Sequence, residues 1–314
     1  MALLSVNDLG IAYKVGDSYY DAVRSVSFEI QYGGSIALVG ESGSGKSTIG
    51  HSILGLLPKN AKLTSGQILF EEKNLAALSR EEIRSFRWKE ISMIFQGSMN
   101  ALDPIFKVGD QMNELLEYHQ RLSKKDANAI SEEYLTKVGL KTSVLNLYPH
   151  ELSGGMKQRV VIALALLLKS KLLIADEPTT ALDVTTQAEI VELLIQLKSE
   201  HKMSMIFITH DLSLVENLCE QVVVMYGGAV MERGETSAVF SRPMNPYTKG
   251  LVGSVLTLDR KEAGTIPGDP PNLMSMPPGC PFNPRCPSAF AECGKTFPRE
   301  RQVKESKVRC LLYQ

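Results

Sequence analysis

Gly40-Glu41-Ser42-Gly43-Ser44-Gly45-Lys46-Ser47-Thr48 follows the pattern G-x-x-x-x-G-K-[ST], in which glycines let a loop curl its N–H groups around a phosphate. Before it, Ser35 to Val39 is an apolar run that reads as a short buried strand. After it, Ile49 to Leu57 reads as a helix. This strand–loop–helix context separates a phosphate site from an ordinary glycine turn. The helix start contributes its positive end. Lys46 has the length to reach terminal phosphates, and Ser47 can offer its hydroxyl to Mg²⁺.

The 314 residues suit one large or two modest domains, and a hydrophobic content of 44% is ample for a core. A formal net charge of −1 supplies no basic field that would recommend nucleic acid as a partner. The longest apolar run, Val160 to Leu168, is nine residues, against about 20 needed to span a bilayer. Met1 to Val6 lacks the charged start and long apolar core of a signal peptide. The chain is therefore expected to stay in the cytosol, and any membrane span it serves is expected from another chain.

Leu3 to Tyr13 and Val23 to Ile30 read as strands around a turn at Gly16-Asp17-Ser18, with Val26, Phe28 and Ile30 on one face. Gly66 to Phe70 and Ile91 to Phe95 are further strand candidates, and Ser79 with Glu82 marks a helix start. From Gly109 to Leu168 strand-like runs are absent, Ser123 starts a helix and Gly139 stops one. Alternation then resumes, with strands at 172–175, 205–209 and 222–226 and helices at 183–200 and 213–219. That order predicts an α/β fold: a phosphate-loop core with a mostly parallel sheet, an N-terminal antiparallel part and an inserted helical block. The expected division is a core over 1–240, with the helical block at about 97–168, and a loop-rich, proline-rich extension over 241–314.

Leu172 to Ala175 is an apolar strand ending in Asp176 and Glu177. Ligands of parallel sheets sit beyond the carboxyl ends of the strands. Asp176 therefore suits Mg²⁺, and Glu177 suits the base that polarises an attacking water. Leu152-Ser153-Gly154-Gly155-Met156-Lys157-Gln158-Arg159 opens a long helix, with Ser153 as its N-cap and two glycines exposing backbone N–H groups. This is a second anion site, and one phosphate loop per chain gives it no internal use. A site shared between two chains would use it.

In this series and order the chain resembles the nucleotide-binding subunit of ABC transporters, over residues 1 to about 235. Gly40 to Thr48 resembles the Walker A loop, Leu172 to Glu177 the Walker B strand and Leu152 to Gln158 the ABC signature. Gln96 matches the Q-loop, Asp183 in Ala181-Leu182-Asp183 the D-loop, and His210 the switch histidine. Tyr13 matches the aromatic that stacks on adenine, with Tyr20 as a competitor. The resemblance implies head-to-tail dimers around two ATP molecules, with Ser153, Gly154, Gly155 and Gln158 facing the partner's nucleotide. Ser47, Gln96 and Asp176 would serve Mg²⁺, while Glu177, His210, Gln96 and Asp183 would serve hydrolysis.

A narrower resemblance, to dipeptide/oligopeptide/nickel importers, rests on Gln96 to Pro104, Tyr148 to Arg159, Asn245 to Lys249 and Pro278 to Pro287. It implies a second ATPase subunit, favouring a heterodimer, two transmembrane permease subunits and, indirectly, an extracytoplasmic solute-binding protein. The chain would then sit peripherally on the cytoplasmic face of the membrane. Di- or oligopeptides are the expected cargo, with nickel and oligosaccharides as alternatives. A non-transport ABC ATPase acting on DNA or ribosomes is the reading from another class. It is disfavoured because no coiled-coil or zinc insertion separates the motifs and only one motif set is present. Of five cysteines, four (Cys280, Cys286, Cys293 and Cys310) crowd the last 35 residues. In this subfamily the tail often carries a four-cysteine [4Fe–4S] cluster. Zn²⁺ and unligated thiols remain alternatives. Whatever the tail binds, it is expected to leave ATP binding at Lys46 untouched, as part of a different domain.

Overall fold

A computed structural model describes residues 1–97, 101–254 and 265–314. Ser98, Met99 and Asn100, within the importer-like stretch after Gln96, lie outside the described residues. The strands are β1 (Ala2–Val15), β2 (Ser18–Gln31), β3 (Ser35–Val39), β4 (Ala61–Phe70), β5 (Lys73–Asn74) and β6 (Ile91–Ile94). They continue with β7 (Leu172–Asp176), β8 (Ser204–Thr209), β9 (Gln221–Tyr226), β10 (Ala229–Glu235), β11 (Glu300–Val303) and β12 (Ser306–Arg309). The helices are α1 (Lys46–Ile53), α2 (Arg80–Phe86), α3 (Val108–Gln120), α4 (Lys124–Lys137), α5 (Gly154–Leu166), α6 (Val184–His201), α7 (Thr236–Ser241) and α8 (Pro246–Gly253). The chain forms two compact units, one of residues 1–80 with 207–314 and one of residues 81–206.

In the first unit, β1 and β2 pair antiparallel through Val15↔Ser18, so the turn is the two residues Gly16 and Asp17. Val26, Phe28 and Ile30 are buried as their alternation predicts, with Glu29 and Gln31 outside. β4 begins at Ala61, five residues before the expected start at Gly66. Gly66 is not a strand end but an irregularity inside the strand. Its φ is +79°, and a Cβ there would lie 2.3 Å from the Asn7 carbonyl oxygen. Only glycine allows β4 to cross β1 so closely. The four-stranded sheet runs β2-β1-β4-β5. A second set of strands in this unit runs β11-β12-β10-β9-β3, with β3 and β9 parallel and the hairpins antiparallel. The C-terminal hairpin β11–β12 thus extends the sheet that carries β3, and Glu232↔Val308 joins it to β10.

In the second unit, β6 and β7 are parallel and fully buried. Between β6 and β7 the described residues carry helices and no named strand, as expected from the missing strand pattern over 109–168. Ser123 caps α4 by accepting from the Asp126 N–H, and Gly139 at φ +74° ends it. A buried hydrogen bond from Ser131 to Asn113 (2.8 Å) ties α4 to α3. The short helix expected at 213–219 is instead a 3₁₀ turn at Leu212–Leu214 followed by turns. Asp211 accepts from the N–H of Ser213 and so starts it as a tight turn.

Candidate functional site

The phosphate-loop sequence leaves β3 at Gly40, where φ is +143° and a Cβ would sit 2.1 Å from the Met225 carbonyl oxygen. Gly45 closes the loop at φ +98°, where a Cβ would meet the Ala22 carbonyl oxygen at 2.5 Å. These two contacts leave room for glycine alone, so the loop's path is fixed by its neighbours. α1 then starts on Gly45 with no side-chain cap and no acidic residue in its first turn. A helix start without an acidic residue suits an anion. Lys46 is 5% exposed, and its ammonium donates to the carbonyl oxygens of Gly40 (2.8 Å) and Glu41 (2.9 Å) and to the Ser44 hydroxyl (3.3 Å). These acceptors hold the charge inside the loop it serves.

Tyr13 and Tyr20 are directly opposed across β1 and β2. Tyr13 is the one joined to the loop's helix: its hydroxyl lies 3.3 Å from that of Thr48. His210, directly after β8, is exposed.

In the second unit the strand-end acids are present as read. Asp176 is the buried last residue of β7, at 1% exposure. Glu177 turns the chain at φ +46°. Its carboxylate accepts from the Gln96 amide (2.9 Å) and the Thr180 hydroxyl (3.0 Å). The Q-loop and Walker B residues of the sequence reading therefore meet. Ser153 caps α5, accepting from the Met156 N–H at 3.3 Å, and is exposed. A Cβ on Gly155 would come 3.0 Å from the Thr186 methyl, so α5 begins close against α6. α6 is capped in turn by Asp183, whose carboxylate accepts from the Thr186 N–H and hydroxyl. Those bonds hold its pKa below the ordinary carboxylate value. Gln158 differs from its motif neighbours: it is 2% exposed, inside the unit rather than on the exposed helix start.

The four tail cysteines line one cavity of about 20 Å³, together with Phe282, Asn283 and Arg309 among others. Gly279 makes this possible. At φ +74° it brings the chain so close to Cys293 that a Cβ would sit 2.5 Å from that carbonyl oxygen, and the Cys280 N–H donates to it. Burial pushes the Cys280 thiol up to about 11, and the other three cysteines add to the shift. The metal-site expectation meets a discrepancy here. Among the described residues, no three His, Cys, Asp or Glu side chains stand so as to hold a metal ion. The cavity brings the four thiols to one place without closing them around a single ion.

The tail also reaches the phosphate loop. Arg285, one residue before Cys286, makes a bidentate ion pair with Glu41 inside the phosphate loop, at 2.7 and 3.1 Å. The hydroxyl of Tyr247 accepts from the Glu41 N–H at 3.0 Å. Neither contact was readable from the sequence, because Arg285 and Glu41 lie 244 positions apart and no motif links them. No helix among the described residues is long and apolar enough to cross a membrane.

A family model described as "ABC transporter" matches residues 23–180, and one described as "Oligopeptide/dipeptide transporter, C-terminal region" matches residues 231–293. The dipeptide transport ATP-binding protein DppD of Bacillus subtilis is 46% identical over 316 residues, covering 99% of this chain and 94% of that protein. The oligopeptide transport ATP-binding protein OppD of Salmonella typhimurium is 45% identical, covering 95% of this chain and 90% of its own. Among solved structures, a dimeric ATP-binding cassette in a post-hydrolysis state bound to ADP and Pi aligns with a TM-score of 0.67 at 28% identity. That match covers 74% of this chain and 98% of the other.

Proposed function

We propose a function from one premise: the chain belongs to the ABC transporter family and carries the C-terminal region of its oligopeptide/dipeptide members. It is the ATP-binding and ATP-hydrolysing subunit of a peptide importer. The observation that carries this reading is the loop Gly40–Thr48, glycine-locked at both ends, with a buried lysine and an uncapped helix start behind it.

The division of labour among residues is our own reading. Gly40, Ser42, Gly43, Ser44, Gly45, Lys46, Ser47 and Thr48 bind the phosphates, and Tyr13 stacks on the base. Its bond to Thr48 favours it over Tyr20. Ser47, Gln96 and Asp176 serve Mg²⁺. Glu177 takes the proton of the attacking water, with Gln96 fixing its carboxylate, and His210 and Asp183 assist. Ser153, Gly154 and Gly155 face the nucleotide of a second ATPase chain, which we take to be a related but different one. Gln158, being buried, supports that helix start from inside. Two permease subunits anchor the pair to the cytoplasmic face of the membrane, and a solute-binding protein delivers the peptide. Residues 1–240 carry the ATPase work and 241–314 the extension.

The tail holds a [4Fe–4S] cluster in this reading, with a structural role. What supports it is the donor set: four cysteines walling one cavity. A tetrahedral zinc draws its thiolates to about 2.3 Å, whereas a cubane spreads the same four ligands over a wider core. The ligand loops would have to open to take either group, and metal analysis of the purified protein separates the two.

The test of the ATPase reading is Glu177→Gln. Nucleotide binding should persist while hydrolysis by the assembled transporter falls by about 10²-fold or more, as for loss of a positioned base. Unchanged turnover removes Glu177 from the base role.

A further inference from the structure

We propose that Arg285 is a positioning residue of the nucleotide site, bracing Glu41 from the C-terminal extension and so coupling the four-thiol cavity to ATP affinity. The inference rests on nucleotide binding at Lys46 and adds a control over it.

Every polar handle of Glu41 is occupied. Its carboxylate takes both arms of the Arg285 guanidinium, and its N–H goes to the Tyr247 hydroxyl. Its carbonyl oxygen accepts from the Lys46 ammonium and from the Ser44 N–H (3.3 Å). The first two contacts come from the extension, and the last two belong to the phosphate loop. Glu41 is therefore the joint at which the extension sets the carbonyl that orients Lys46.

The arm is stiff on the tail side. Arg285 also donates from Nε to the Pro267 carbonyl (2.7 Å) and from Nη1 to the Tyr226 hydroxyl (3.0 Å). Tyr226, Tyr247 and Phe282 pack ring to ring, with centroids 4.6 to 5.2 Å apart. Arg285 and Glu41 are only 8% and 21% exposed. Solvent screening is weak at that burial, and a planar bidentate pair has a defined direction. Arg285 lies in the Cys280–Cys286 loop and Phe282 lines the thiol cavity, so a change in that loop moves the arm that holds Glu41.

The experiment measures ATP affinity of the full chain by fluorescent-nucleotide titration, with Lys46→Ala as the separate test of the nucleotide site itself. Arg285→Gln should weaken ATP binding roughly three- to tenfold, a fraction of what a buried charged hydrogen bond is worth. Glu41→Gln should weaken it similarly, and the double variant should be no worse than either single one. Arg285→Lys, which keeps charge but not the fork, should restore only part of the affinity. Cys286→Ser should also weaken ATP binding, and add nothing once Arg285 is Gln. If Arg285→Gln does not fold, Tyr247→Phe and Glu41→Gln test the same joint from the other side. Unchanged ATP affinity in Arg285→Gln with Lys46→Ala inactive, or additive effects of Arg285→Gln and Glu41→Gln, overturns the proposal while leaving the nucleotide site standing. An effect of Cys286→Ser that persists in the Arg285→Gln background overturns the coupling through Arg285.

Discussion

Glu232 lies in β10 with 0% exposure, and its carboxylate accepts from the N–H groups of Met244 (2.9 and 3.1 Å) and Asn245 (2.8 Å). Burial raises its pKa above the usual carboxylate value, and those N–H bonds only partly oppose the shift. Above its unfolded pKa, the native state holds a proton that the unfolded chain has released. Stability from this group is therefore full at low pH and is lost as pH rises through the folded pKa. Glu232→Gln should remove that slope. Melting temperatures at pH 5 and pH 8 should show the wild type losing ground to the variant as pH rises, and parallel pH profiles would sink the assignment. No motif drew attention to Glu232, because its meaning lies in burial, which one residue does not reveal. Lys46, Asp176 and Glu177 were legible because phosphate chemistry dictates residue type and spacing together. Arg285 was not, since its partner is distant in sequence and both are common surface residues.

The start of α5 joins a cap to a binding surface. Ser153 accepts from Met156, yet it is exposed, and its hydroxyl keeps a proton to donate to a phosphate oxygen. Ser153→Arg removes the cap, at a cost of about 1 kcal/mol, and puts a bulky cation where a partner's nucleotide would dock. ATP binding by the lone chain should stay close to wild type, and ATP-driven dimerisation, followed by light scattering, should disappear. Ser153→Ala, which loses the cap alone, separates the two effects. Loss of ATP binding in the lone Ser153→Arg chain would mean the shared-site reading is wrong. Elements such as β3, β7, α4 and α6 were legible because apolar runs and caps agree. β4 was cut short in the reading because Gly66 looks like a terminator and serves as a close approach to β1. At Leu212–Leu214 the sequence pattern points to a helix starting at Ser213, whereas Asp211 begins a tight 3₁₀ turn two residues earlier.

Across the whole molecule, the family motifs fixed the ATPase reading in advance, but the relation of tail to core did not follow from composition. Many prolines suggested an appendage. The structure instead puts β12 beside β10 and the tail's arginine on the phosphate loop. A segment with too few apolar residues for its own core borrows one, and the proposed cluster at Cys280, Cys286, Cys293 and Cys310 would add a cross-link. Cys280, Cys286 and Cys310 are all pushed above the usual thiol value by burial, so ionising them without a cation is unfavourable. If the tail holds the proposed cluster, anaerobically purified protein should be brown, with about four iron and four sulfide per chain. Cys286→Ser should lose the colour and open the tail to protease near the Cys280–Cys286 loop. Zinc in stoichiometric amount, in colourless protein prepared without air, would replace the cluster by a single ion. Metal-free, colourless and protease-resistant protein would leave only four packed thiols, with the hairpin β11–β12, Arg285, Asn245 and the aromatic trio among the tail's fastenings.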